Sequence, residues 1–334
     1  MSKKCKKLCV IIKTTAQNGL LIRGGKMEND KQKRKISLLP KKKDIPLLIL
    51  LLPALITVIM FAYLPLSGLL VAFKDYKGKL GIFGSPWADM WGMANFVEIF
   101  TVPGLTDAIW NTLYWNILSL LIGFPLPILF ALLLDEVRNK RFKSVVQTIS
   151  YLPYFLSWIA VTGMASSLLS QYGIINDAIK AITGERIIFL GDKKYFLPVY
   201  LFLVVWKSVG WDSIIYLSSI SSVAPELYEA ARIDGAGRVK QVWHVTLPAL
   251  VPTAMILLIL KVGQLFGSNF ELVYGLQNPA WNEEVISTAV YNYGIGQGRY
   301  ALATALGFAQ GIVALVITML ANKISDKLTS ISMW

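Results

Sequence analysis

Cysteine and histidine are almost missing from this chain. It has two Cys and one His in 334 residues, and Cys5 and Cys9 stand near the start with no His beside them, which excludes a disulfide framework and a zinc site. A Gly-x-x-x-x-Gly-Lys-Ser/Thr loop is absent too, so the chain cannot itself cradle ATP phosphates in the usual way. Without a His/Cys cluster or a nucleophile motif there is no catalytic residue, metal site or cofactor to assign, and the chain reads as a non-enzyme. No small-residue cleavage site follows an apolar stretch of suitable length, so no cleavable signal is expected. Charge is also scarce. Only 16% of residues are Asp, Glu, Lys or Arg, against 55% hydrophobic, and a mean hydropathy of +0.55 is too apolar for a soluble protein of this size. The chain is predicted to be an all-α integral membrane protein.

The charge that is present is lopsided. The formal net charge is +13, yet fourteen of the 33 Lys and Arg precede Asp44. The excess is therefore a basic tail, residues 1–44, beside the first span, and not a nucleic-acid surface. Residues 1–26 of that tail look foreign to the rest. Arg23-Gly24-Gly25-Lys26-Met27 can be encoded by AGA GGA GGN AAA ATG, a purine-rich ribosome-binding sequence just ahead of a start codon, and translation is expected to begin at Met27. Six apolar runs follow, at residues 45–73, 105–134, 145–169, 196–219, 250–276 and 301–324, each long enough to cross a bilayer. Trp87, Trp91 and Phe96, after the first run, are of the kind that settles at the headgroup level. With the tail inside, inner segments hold 23 of the 33 positive residues and outer loops hold 8; without residues 1–26 the bias is still 16 to 8. Both termini, and the loop between the fourth and fifth spans, are expected in the cytoplasm.

That loop holds the most distinctive stretch, Ala224-Pro225-Glu226-Leu227-Tyr228-Glu229-Ala230-Ala231-Arg232-Ile233-Asp234-Gly235-Ala236-Gly237, followed by Val245-Thr246-Leu247-Pro248. Pro225 suits the first turn of a helix and Glu226 complements the positive end of its dipole. Leu227, Ala230, Ala231 and Ile233 fall largely on one side, and Gly235 and Gly237 permit the backbone that ends it. A helix this short does not persist alone in water. Its apolar side needs a partner, and the paired alanines let another surface come close. These residues resemble the EAA loop of ABC-importer permeases: Glu-Ala-Ala, a Gly four residues on, then Ile-x-Leu-Pro after nine more. Glu229, Ala230, Ala231, Gly235, Leu247 and Pro248 match, with Asp234 beside them; Val245 stands for Ile and keeps its shape and apolarity.

The resemblance implies a type I ABC-importer permease fold over residues 45–330, with six transmembrane helices and a coupling loop at 224–248 that seats in a groove of a dimeric cytoplasmic ABC ATPase. It also implies a multi-pass protein of the bacterial cell membrane, a second homologous permease subunit, and substrate handed over by an extracellular binding protein. Asn269-Phe270-Glu271-Leu272-Val273-Tyr274-Gly275-Leu276-Gln277-Asn278-Pro279 and Tyr293-Gly294-Ile295-Gly296-Gln297-Gly298-Arg299-Tyr300 resemble, within the carbohydrate-uptake, maltose-type family, the branch that imports complex oligosaccharides with a lipoprotein binding component.

Polar groups at membrane depth are costly unless they face the bundle interior or water. Asn111, Asn116, Lys207, Asp212, Lys261, Gln264, Asn269, Glu271 and Gln310 are such groups, and interhelical bonding competes with substrate binding for each. A sugar needs hydrogen-bonding groups beside an aromatic face; Tyr114, Trp115, Trp206 and Trp211 offer the second, and Gln264, Asn269 and Glu271 are the favoured set for the first, on the span where the resemblance puts part of the sugar site. Lys207, Asp212 and Lys261 also admit an ion-coupled secondary transporter, and Lys261, about a dozen residues into its span, is expected to have an acidic partner that the sequence does not name. His244, beside Trp243, is expected to pack at the ATPase interface.

Overall fold

The structure, a computed structural model, describes residues 45–278 and 283–329. The basic tail with Cys5, Cys9 and the expected start at Met27 lies outside the described residues, as does Pro279. The chain divides into two units, residues 1–63 and 64–334. In the first, α1 (Ile45–Val58) is apolar on every side and runs into a π-helical turn, Ile59–Tyr63. Large apolar side chains exposed all round a helix are what a lipid-facing element requires.

The second unit opens with a 3₁₀ segment, Leu64–Phe73. It continues through α2 (Ala94–Thr101), α3 (Leu105–Gly123), α4 (Pro125–Asp135), α5 (Lys140–Tyr151), α6 (Trp158–Leu169), α7 (Ile174–Thr183) and α8 (Lys193–Ser221). After the loop helix α9 (Pro225–Ile233) come α10 (Leu247–Gly263), α11 (Phe270–Leu276), α12 (Ile286–Tyr291) and α13 (Tyr300–Thr329). Among the described residues there is no strand, only an isolated bridge between Lys74 and Trp87. Five stretches are long and apolar enough to cross a membrane: Leu48–Phe73, Leu105–Asp135, Lys193–Ser221, Arg238–Gly263 and Tyr300–Lys327. A sixth counts if the pair Lys140–Phe155 and Trp158–Thr183, bent by 101°, is one span.

Two of the expected spans are therefore not single helices. The third, read as 145–169, breaks where Pro153 opens a 3₁₀ turn, Leu152–Phe155, and Ser157 caps the next helix, its Oγ accepting from Ala160 N at 3.1 Å. The fifth, read as 250–276, stops at Gly263 and restarts at Phe270. Gly267-Ser268-Asn269 supplies the turn, and Asn269 caps α11 by accepting from Leu272 N at 3.2 Å. The aromatic loop also divides: Phe96 packs against Phe73 with ring centroids 5.1 Å apart, whereas Trp91 is fully exposed on a left-handed backbone, φ 59°.

Three apolar clusters hold the second unit together. Trp115, Phe196, Tyr200, Leu272 and Leu276 join α3, α8 and α11; Ile99, Leu105, Ile286 and Leu302 join α2, α3, α12 and α13; Ala131, Tyr216, Ile220 and Leu250 join α4, α8 and α10. α8 is the central element, packed against α3, α4, α5 and α10. Its approach to α5 is set by Gly210, where an added Cβ would lie 2.0 Å from the Ser150 carbonyl oxygen. Close backbone approach through a small residue is how helices associate where lipid removes the hydrophobic drive. Gly210→Ala is expected to destabilise the protein by about 1–3 kcal/mol, the usual range for overpacking, read as an earlier loss of monodisperse protein on heating in detergent; unchanged heat resistance would contradict this packing.

Candidate functional site

The break between α10 and α11 lies against the middle of α3 and α8. The N–H groups of Gln264, Leu265 and Gly267 make turn-type bonds to the third residue back, such as Gly267 N to Gln264 O at 2.8 Å. Backbone that leaves the helix at membrane depth needs other partners. Two side-chain amides from different helices supply them. Asn116 of α3 donates to Leu265 O at 2.8 Å and to Gly267 O at 2.5 Å, and Gln310 of α13 donates to Phe266 O at 2.7 Å. Asn111 likewise donates to Glu284 O at 3.0 Å. In these three residues the interhelical role accounts for the amide.

The break borders a cavity of about 400 Å³, a size that suits a small ligand. Its lining includes Asn116, Ser119, Trp158, Tyr200, Ser208, Lys261, Gln264, Ser268 and Asn269, with Gly123 and Gly267 widening it. Gln264 makes no side-chain hydrogen bond among the described residues, so its amide is available to a ligand. Asn269 spends its oxygen on the α11 cap and retains its NH2. Lys261 finds the acidic partner that the sequence left unnamed: its Nζ donates to Asp212 Oδ2 of α8 at 2.8 Å. Lys207 is buried, donates to Tyr154 O at 2.7 Å, and sits 5.0 Å over the Trp158 ring.

The remaining expected substrate residues are elsewhere. Trp115 is 4% exposed and packed between Phe196 and Tyr200, at 5.0 and 5.4 Å. Trp211 stacks flat on Tyr154 at 4.4 Å. Tyr114 and Trp206 face outward, and Glu271 is exposed in the first turn of α11. None of these five lines the cavity. Its aromatic walls are Trp158 and Tyr200, which composition did not single out. The signal for Trp158 is local: Ser157 marks a helix start that puts the following Trp at a bend.

The second feature is the loop helix α9. Its end is a Schellman motif, with Ala236 N donating to Ala231 O at 2.8 Å and Gly235 N to Arg232 O at 3.0 Å. Gly235 has φ +78°, which is why glycine stands there. Tyr228 anchors α9 to the α10 side through a 3.0 Å hydroxyl contact with Thr246, Leu247 is half-buried, and Pro248 occupies the first turn of α10. Glu229, Ala230 and Asp234 are exposed, Ala231 is half-buried, and Leu227, Ile233, Val239 and Trp243 leave an apolar surface uncovered. His244 is exposed, with its Nδ1 2.9 Å from Lys240 O.

Residues 123–330, which hold this loop, α8 and the helix break, match the family described as binding-protein-dependent transport system inner membrane component. The chain belongs to that family. It is 43% identical over 300 residues, 89% of this chain and 92% of the relative, to the polygalacturonan/rhamnogalacturonan transport system permease protein YteP of Bacillus subtilis (strain 168). Among solved structures it is similar, at TM-score 0.79 and 40% identity, covering 86% of this chain and 97% of the other, to a chain of a bacterial ABC transporter involved in import of the acidic polysaccharide alginate. A second structure, the bacterial alginate transporter in complex with its pentasaccharide-bound periplasmic protein, gives TM-score 0.79 at 39% identity, covering 87% and 98%. As an inner membrane component of this family the chain is a multi-pass ABC-importer permease, and ATP hydrolysis belongs to a separate subunit. Lys207, Asp212 and Lys261 accordingly do not make it an ion-coupled transporter.

Asn116→Leu removes both donors to the break. Two membrane-depth carbonyls then lose a partner, and a destabilisation of about 1–3 kcal/mol per unsatisfied group is expected, seen as greater heat lability of the purified protein. Equal heat lability of this variant and wild type would mean that water or another group satisfies the break.

Proposed function

We propose that this chain is one of two homologous permease subunits of an importer that moves an oligosaccharide from an extracellular lipoprotein binding component into the cytoplasm, with both of its termini and residues 224–248 on the cytoplasmic side. Glu229, Ala230, Ala231, Asp234, Gly235, Leu247 and Pro248 form its contact with one ATPase of a dimeric pair. The observation that carries the reading is the combination of a shaped but uncovered loop helix with a polar cavity at a helix break. The names of the relatives, whose cargoes are polysaccharides, support the substrate class. Cavity chemistry agrees with it: Gln264, Asn269 and Ser208 offer hydrogen bonds, while Trp158 and Tyr200 offer flat apolar surface for the C–H faces of a sugar. ATP favours the state in which the two ATPases close, so closure drawing the loop helices together switches the cavity between inward and outward access.

Mild-detergent purification of the tagged chain should recover a second permease and an ATPase. An added Cβ at Gly235 meets nothing within 4 Å, so Gly235→Ala probes the backbone alone and should cost about 1–2 kcal/mol at the left-handed position. Together with Glu229→Lys it is expected to lower ATPase recovery or to uncouple hydrolysis from uptake. A chain that purifies alone and takes up solute without ATP would reject the reading. Within the cavity, Gln264→Ala should raise the saccharide concentration for half-maximal uptake about tenfold, as for loss of one good hydrogen bond, with ATPase recovery unchanged. Wild-type uptake by that variant would remove Gln264 from the site.

A further inference from the structure

The cavity has a charge asymmetry that hydrogen bonding to a neutral sugar does not require. One ammonium, that of Lys261, is among its lining groups, and no carboxylate is. The counter-ion Asp212 stands behind the lining on α8, bonded to Lys261 at 2.8 Å. An ammonium has three donors. One is directed to Asp212, and the side chain keeps 35% of its exposure, so the others are reachable from the cavity. A second ammonium, that of Lys207, lies behind Trp158, itself a wall of the cavity, but it is 8% exposed and the Glu271 carboxylate acts on it electrostatically, so the cation that a ligand can reach is that of Lys261. Holding two cations at membrane depth is costly. If the pair between α8 and α10 served only to join them, well-packed apolar residues would do so at no greater expense.

Resting on the importer reading above, we infer that the cavity selects an anionic saccharide, a sugar acid chain, and that Lys261 takes its carboxylate. The substrate carboxylate accepts from the Lys261 donors turned away from Asp212. Asp212 has two roles. It balances the Lys261 charge while the cavity is empty, and it holds the ammonium at the cavity edge. No bond is made or broken covalently; the charge is recognised and released as the cavity changes access.

The test compares uptake of a uronic acid pentasaccharide with that of its carboxyl-reduced, neutral counterpart. Both are assayed in proteoliposomes holding the complete importer and the same binding protein in every arm. The fixed binding protein makes the change from wild type to variant report on the permease. Lys261→Gln leaves Asp212 unpaired, so the double variant Lys261→Gln with Asp212→Asn is measured alongside it. For both, acidic uptake at subsaturating substrate is expected to fall about tenfold or more, as for a lost charge-assisted bond, while neutral uptake changes less than about twofold. Lys261→Arg should keep most of the acidic uptake. Parallel loss of both sugars in the double variant would make the pair a structural tie and overturn the inference, as would undiminished acidic uptake. A wild type that prefers the neutral sugar also overturns it but leaves the importer reading intact. A wild type that imports neither sugar with ATP defeats both.

Discussion

The need to satisfy backbone carbonyls inside a membrane governs the organisation of this molecule. A transmembrane helix supplies its own partners, and a break does not. By ending α10 at Gly263 and beginning α11 at Phe270, the chain frees carbonyls that only other helices can reach. Asn116 and Gln310 reach them from α3 and α13. The geometry of four helices is thus tied to six residues of irregular backbone. The same irregularity opens space, because a turn with Gly267 has less bulk than a helix carrying side chains in every direction. The constraint that costs the fold most therefore also creates its cavity.

Once the cavity exists, its polarity follows from what lines it. Capping Asn269 consumes one of its polar atoms, the break consumes Asn116, and Asp212 consumes part of Lys261. What is left over is one whole amide at Gln264, the NH2 of Asn269, some hydroxyls, an ammonium edge and two aromatic walls. The distinction between a structural and a functional polar residue in this bundle is thus a matter of unspent hydrogen-bonding capacity. It separates residues that look alike in the sequence: Asn116 and Gln264 are both amides on apolar spans, but only the second retains its donors and acceptor for a ligand.

This explains how much could be read beforehand. The all-helical membrane fold was legible because apolar run length responds to bilayer thickness alone. In the loop two positions were legible, since Gly235 is fixed by a left-handed φ of +78° and Pro248 by a helix start, whereas Gly237, expected to help end α9, has an ordinary extended backbone, φ −68°. The breaks were less legible: hydropathy averages over Gly263, Gly267 and Asn269, although their turn and capping chemistry was present in the sequence. Trp115 and Trp211 were expected at a sugar site from their type, yet one is enclosed by Phe196 and Tyr200 and the other stacks on Tyr154. An aromatic side chain packs as readily against another ring as against a ligand. Which of the two it does is decided by tertiary neighbours. The partner of Lys261, 49 positions away on α8, is of the same kind.

The loop and the cavity, finally, are parts of one brace. α8 and α10 flank α9, and they are also the helices that bring Ser208 and Lys261 to the cavity. Between them run the Ser219 to Thr253 hydroxyl contact at 3.0 Å, the Asp212 to Lys261 ion pair at 2.8 Å, and the apolar contacts of Tyr216, Ile220 and Leu250. α9 is fastened to the near end of this hairpin through Tyr228 and Thr246. A packed, cross-linked pair of helices does not deform smoothly, so a displacement of α9 is carried along it or resisted by it as a body. Beyond Gly263 the brace ends and the irregular turn begins. Helices below and a turn held by two amides above put irregular backbone of this path at the wall of the cavity.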